Sequence, residues 1–181
     1  METAGCSDDD RVPARLHREL DHAELVRRAQ MGSASAFEQL VVSVGPSVHR
    51  YLSLRLRHEG DARDALQETL TAAWQGLPRL QQPGKFRSWV LGIATHKAAD
   101  AKRNRLRSSE PELELQGSED ESLLEMREAI LALPASFRDV LLLRYVVQLS
   151  EQEVAGALGV RVGTVKSRSA RARKALEEML R

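Results

Sequence analysis

Apolar residues along this chain return at steps of three and four, and no segment alternates strictly between apolar and polar positions. That is the period of helices buried on one face, so the pattern predicts an all-α protein with no sheet. DHAELVRRAQ, from Asp21, reads as a first helix stopping at Gly32, and SASAFEQLVVSVGPSVHRYLSLRL as a longer second one that Pro46 can kink. HEGDARDALQETLTAAWQGL reads as a third helix capped by Asp61, with Ala62, Leu66, Ala73, Trp74 and Leu77 on its inner side. A fourth runs from near Phe86 to Arg107 and turns Trp89, Val90, Ile93 and Ala94 inward.

The sharpest local signal lies at the end of the chain. Ser150 and Glu153 stand three residues apart before an apolar run, each placed to satisfy a backbone donor of the first helical turn. Val154, Ala155 and Leu158 then face inward, and Gly159 supplies the left-handed position at which a helix stops. A second helix restarts near Val162, with Val162, Val165, Ala172, Leu176 and Met179 along one stripe. Thr164, Lys166, Ser167, Arg171 and Lys174 lie opposite. A helix, a glycine turn and a helix with a basic outer face make the helix-turn-helix pattern, whose second helix enters the major groove of DNA. Between Arg161 and Arg181 only Glu177 and Glu178 offset the basic residues, a balance suited to a phosphate backbone. An ordinary helical hairpin with a solvated charged face is the plainer reading of the same spacing.

Composition adds boundaries. A chain of 181 residues with 42% apolar content can bury one domain or two small ones. Its formal net charge of +1 conceals a segregation into basic helices and acidic connectors. The fourth helix turns basic at Lys97, Lys102, Arg103, Arg105 and Arg107, with Asp100 the acid among them. SSEPELELQGSEDES follows with no basic residue, a proline and a glycine, and reads as an acidic flexible linker over 108–121. It is expected to separate two globules, 21–107 and 122–181. Residues 1–20 lack periodicity and contain Pro13, so a flexible tail is expected, with Asp8 to Asp10 solvated rather than binding a cation.

The same inventory weighs against several functions. The single cysteine, Cys6, allows no internal disulfide and no cysteine-based zinc site, and fits a reducing cytoplasm. No apolar run approaches membrane-spanning length, and Asp8 to Asp10 sit where a signal peptide needs an apolar core, so no membrane insertion is expected. The histidines 17, 22, 49, 58 and 96 are scattered without the paired spacing of a zinc motif. No metal, cofactor or catalytic residue is therefore expected, and the chain reads as no enzyme. On the third helix Asp64, Gln67, Glu68 and Thr71 share one polar side, which on pattern alone is a solvated face.

Three segments in order carry a resemblance that spans almost the whole chain from Asp21 to Leu180. DARDALQETLTAAW resembles the polymerase-binding helix, SWVLGIATHKAADAKRNR the minus-10 helix and GTVKSRSARARKAL the minus-35 recognition helix of group IV, or extracytoplasmic-function, sigma factors. The resemblance implies an alternative sigma factor that binds core RNA polymerase and directs initiation at promoter DNA, with an anti-sigma factor as a further partner. It assigns Asp64, Gln67 and Glu68 to the clamp coiled coil of the largest polymerase subunit, with Thr71 on the same stripe. The loop from about Arg79 to Lys85 would capture a flipped minus-10 base, with Lys85, His96, Lys97 and Arg103 on that DNA. Lys166, Ser167, Arg168 and Arg171 match minus-35 positions, and Thr164 and Lys174 share their face. Departures are Ser169 in the inward stripe where the family prefers Leu or Ile, Leu70 and Leu80 in place of aromatics, and Arg161 in place of a small N-cap. A helix-turn-helix regulator that never joins polymerase, and an interaction-only adaptor, are the rival readings of the residues alone.

Overall fold

The computed structural model describes the backbone of residues 14–108 and 121–181. The remainder of the expected tail and most of the expected linker lie outside these described residues. The fold is all-α: α1 (Ala14–Gln30), α2 (Ala34–Arg55), α3 (Glu59–Gly76), two short 3-10 turns, α4 (Phe86–Ser108), α5 (Glu121–Ala132), α6 (Ala135–Leu141), a π turn over Leu142–Val146, α7 (Glu151–Leu158) and α8 (Val162–Met179). No strand occurs among the described residues.

The first helix begins seven residues before the expected Asp21, within the segment read as tail. Arg, Leu and Glu are good helix formers, and a proline is well tolerated just ahead of a first turn, so Pro13 is compatible with a helix start rather than a barrier. In α2, Ser33 caps the N-terminus and Ala36, Leu40, Val44, Val48, Tyr51 and Leu52 are buried at three- and four-residue steps. The helix continues through Pro46, whose missing N–H leaves the Val42 carbonyl without its intrahelical partner. Val42 is exposed, so water can serve that carbonyl.

Two details of α3 differ from the sequence expectation. His58, not Asp61, occupies the N-cap, without a side-chain cap bond. Asp61 instead forms an ion pair with Arg105 of α4 at 3.0 Å. Trp74, expected inside, is 43% exposed and stands edge-on to Phe37 with ring centroids 4.8 Å apart. Thr69 takes an inner position in its place, with its hydroxyl bonded to the Ala65 carbonyl at 2.6 Å. The α-helical i−4 carbonyl lets a buried threonine satisfy itself.

The described helices form two units, as the sequence predicts, and the structure adds how they meet. The α1–α4 and α5–α8 units are packed together, and one buried cluster runs from Val26 through Val90 and Leu91 to Leu142, Val154 and Val165. Helix α4 lies against α7, and α2 against α5 and the π turn. Hydropathy reveals that a face is apolar but not which partner covers it, so a sequence read element by element cannot distinguish separate globules from docked ones.

Candidate polymerase and DNA interfaces

The polar stripe of α3 is presented to solvent as its spacing predicted. Asp64, Gln67, Glu68 and Thr71 are exposed, and the Thr71 hydroxyl donates to the Gln67 carbonyl at 2.9 Å. Glu68 reaches across to α4 and pairs with Lys97 at 3.0 Å. A shallow depression of about 420 Å3 joins Asp64, Gln67, Glu68, Thr71, Gln75 and Lys97, and a narrower cleft of about 260 Å3 continues toward Asp61, Asp100 and Arg105. The structure thus brings a residue assigned to polymerase and one assigned to DNA into direct contact.

The remaining minus-10 candidates are spread along one side of the α1–α4 unit. Lys85 is exposed at the end of the second 3-10 turn, and the Ser88 hydroxyl donates to its carbonyl at 3.0 Å, fixing the entry to α4. His96 is exposed, with Nδ1 2.8 Å from the Gly92 carbonyl. Arg103 is exposed and forms an ion pair with Asp100 one turn away. Surface pairs of this kind contribute little, so Lys97 and Arg103 can be released to a phosphate at small cost.

In the helix-turn-helix the expected devices are present. Ser150 and Glu153 form the reciprocal capping box, with contacts of 3.2 and 2.7 Å. Gly159 adopts φ 63°, ψ 33°, the left-handed conformation that closes α7. Val165 and Ala172 of α8 are buried, whereas Met179, expected in the same stripe, is 47% exposed near the helix end. Lys166, Ser167, Arg171 and Lys174 are exposed and Thr164 and Arg168 half-buried, so the candidate DNA face is available. Lys166 lies 3.7 Å from Glu151 and Lys174 3.9 Å from Glu178, while Arg168 and Arg171 have no ion-pair partner among the described residues. Arg161 stands at the N-cap and, as a non-capping residue, makes no side-chain cap bond.

Sequence reasoning missed one group of residues altogether. Tyr51 and Arg55, one turn apart on α2, both donate to Asp139 of α6, at 2.8 and 2.5 Å. Burial, and next the Asp139 charge, push the Tyr51 hydroxyl well above its ordinary range. Burial opposes the Arg55 charge, but Asp139 and then Tyr51 outweigh it and raise Arg55 overall. Arg138 is lowered by burial and then by the Arg55 charge beside it. Arg138 donates to the carbonyls of Arg55 and Leu133 at 3.3 and 2.9 Å, and also to that of Leu131. A tyrosine and an arginine at helical spacing were the visible signal, but their partner lies 84 to 88 residues away.

Comparison with known proteins settles the family. Residues 40–108 match the sigma-70 region 2 model, and residues 123–176 match sigma-70 region 4. The extracytoplasmic-function (ECF) RNA polymerase sigma factor SigC of Mycobacterium tuberculosis is 33% identical across 96% of this chain and 94% of its own length. The chain belongs to the ECF sigma factors. These are alternative sigma factors that direct promoter-specific transcription initiation, and sigma factors regulate polymerase without catalysing a reaction. ShbA of Streptomyces griseus, another ECF sigma factor, is 35% identical over 78% of this chain and 86% of its own length. Among solved structures, CnrH in complex with the cytosolic domain of CnrY is 28% identical, with a TM-score of 0.73 over 88% of this sigma factor and 97% of that chain. The sigma factor RpoE of Bartonella quintana, solved with the anti-sigma factor NepR, has the same fold at 24% identity and a TM-score of 0.68. Among the described residues of the sigma factor, no helix is long and apolar enough to cross a membrane.

Proposed function

We propose a division of labour between the two units of this ECF sigma factor. Residues 21–107 dock on core RNA polymerase through Asp64, Gln67, Glu68 and Thr71, and engage minus-10 DNA through Lys85, His96, Lys97 and Arg103. Residues 122–181 read minus-35 DNA, with Lys166, Ser167, Arg168, Arg171, Thr164 and Lys174 along the groove. The acidic stretch between α4 and α5 is a linker, and the protein acts in the cytoplasm with no catalytic residue of its own. CnrH was solved bound to another protein, and an anti-sigma partner is proposed for this chain in the same spirit.

The observation that carries the assignment is the outward presentation of two unlike faces on separate helices. The α3 face is polar and acidic, and the α8 face is basic. Phosphate contacts position a recognition helix and base contacts specify the site, so the α8 face must supply both. The test is reconstitution with bacterial core polymerase on randomised promoter DNA, comparing the unmodified chain with Arg171→Ala. Promoter-specific transcripts are expected from the first. The variant should keep core binding and lose DNA affinity, by about 1 to 3 kcal/mol with relaxed choice at one position if Arg171 reads a base. Failure to initiate from any promoter in the pool would sink the reading, and unchanged affinity in Arg171→Ala would remove α8 from it.

A further inference from the structure

We propose that Gln30 of α1 is a positioning residue for minus-10 recognition: its side-chain amide holds the loop between α3 and α4 in the shape that receives a flipped base. The inference rests on the sigma-factor reading above and deepens it by giving α1 a part in the site. Helix α1 lies ahead of residues 40–108, the stretch matched to region 2.

Two short turns make the loop, Leu77–Arg79 and Pro83–Lys85. Leu77 is buried and Leu80 half-buried, so the first turn is anchored at its ends while Pro78 and Arg79 face solvent. Gln30 Nε2 spans those ends, donating to the Leu77 carbonyl at 3.0 Å and to the Leu80 carbonyl at 2.9 Å. A primary amide has two N–H donors, and both are used here. The Leu77 carbonyl also accepts the Leu80 N–H at 3.0 Å, so the amide takes its second lone pair and pins a turn that the backbone has already closed. Gln30 is itself held firmly. It is the last residue of α1, whose end is closed by Gly32 at φ 95°, with the Gly32 N–H bonded to the Ala29 carbonyl and the Ser33 N–H to that of Arg28. Ser33 then caps α2. On the far side of the loop the Lys85 N–H closes the second turn on the Gln82 carbonyl at 2.9 Å, and Ser88 of α4 donates to the Lys85 carbonyl. The stretch between these two staples is therefore fixed at both ends.

Gln81 and Gln82 stand between the staples, both exposed, with side-chain amides that have no hydrogen-bond partner among the described residues. Each amide offers a donor and an acceptor, the pair of groups that reads a base edge. The loop from Leu77 to Lys85 contains no aromatic residue, so it provides no ring on which a flipped base can stack. Recognition there falls to hydrogen bonds, which weaken steeply with distance and angle. Their donors and acceptors must therefore be held in place. Flipping also costs unstacking energy that the site has to offset, and a loop ordered in advance leaves more of its binding energy for that task. Without the Gln30 amide the first turn keeps its backbone bond but loses its tie to α1. The consequence is a loss of selectivity at one base, with the fold intact.

The test uses holoenzyme assembled from bacterial core polymerase and the full chain, with minus-10 DNA taken from the promoter that the randomised pool yields. 2-Aminopurine, whose fluorescence rises on leaving the base stack, is placed at each minus-10 position in turn to locate the flipped base. Affinity is then measured with each of the four bases at that position. Gln30→Met keeps the length and loses both donors, and Gln30→Glu keeps the shape but turns acceptors toward two carbonyls. Each should cut the preference for the best base about tenfold, the scale of two neutral hydrogen bonds. Core binding, minus-35 affinity, selectivity at the other minus-10 positions and the circular dichroism spectrum should be unchanged. Gln30→Arg, whose guanidinium can again donate to two carbonyls as that of Arg138 does to Leu131 and Leu133, should restore the preference. Any affinity its charge adds is shared by all four bases and cancels in the ratio. In a Gln81→Ala/Gln82→Ala background Gln30→Met should change the preference little, because a positioning residue acts through the groups it places. Preference kept in both Gln30→Met and Gln30→Glu overturns the proposal. So does an equal loss at every minus-10 position, which marks a folding defect, or an unmodified holoenzyme in which no 2-aminopurine responds. An unmodified chain that neither binds core nor initiates on any promoter removes the sigma-factor reading, and the role of Gln30 with it.

Discussion

Ser169 shows how far a single residue can be judged before its surroundings are known. Its place in the inward stripe of α8 is legible in the sequence, and so is the penalty for burying a hydroxyl there. The structure adds the decisive fact: Ser169 is 7% exposed and its Oγ has no hydrogen-bond partner. Thr69, by contrast, is fully buried but bonds back to Ala65 at 2.6 Å. Ser169→Ala removes an unsatisfied group and improves helix propensity, and it is expected to stabilise the protein by about 1 kcal/mol. A urea unfolding midpoint that moves down instead would mean that Oγ has a partner in solution. The buried residues that tie α2 to α6 were opaque to the same reading. Nothing in the types or spacing of Tyr51 and Arg55 identifies Asp139 as their acceptor.

Helices were legible in proportion to how completely they carry their own boundary signals. The helix-turn-helix is the clearest case, since the capping box at Ser150, the left-handed Gly159 and the stripe through Val165 and Ala172 are local chemistry. The start of α1 and the cap of α3 lack such signals. Where a cap is present the boundary is plain: Ser33 marks α2 by accepting from the Ala36 N–H. The α3 stripe was legible as a solvated face, and only the family resemblance makes it a candidate docking surface. Because Glu68 is tied to Lys97, its substitution disturbs a DNA candidate as well. Asp64 is exposed and has no ion-pair partner among the described residues, so it gives the cleaner test. Asp64→Arg is expected to weaken core-polymerase binding at least about tenfold, as like-charge juxtaposition does, and to leave DNA binding by α8 unchanged. Equal losses in both assays would show a folding defect rather than a docking residue.

At the scale of the whole molecule, the acidic stretch between Arg107 and Ser122 suggested two units and was silent about their arrangement. Apolar positions such as Val90, Leu142 and Val154 read as inward-facing in either arrangement, and only the structure joins them in one cluster. The contact combines this apolar cluster with the buried Arg55–Asp139 pair, and it joins two units of one tethered chain. Its persistence should then depend on the tether. A short linker holds two partners at an effective concentration on the order of millimolar, and cutting it leaves them at the concentration of the protein itself. With a site-specific protease sequence inserted between Leu115 and Gly117, the cut fragments are expected to co-elute on gel filtration when concentrated and to separate on dilution. The uncut chain should elute as one compact species throughout. Introducing Asp139→Asn should shift the separation to higher protein concentration by at least about tenfold, because it leaves Arg55 without its carboxylate. Fragments that separate at every concentration would show that the two units are independent globules, and that the contact between α4 and α7 does not hold in solution.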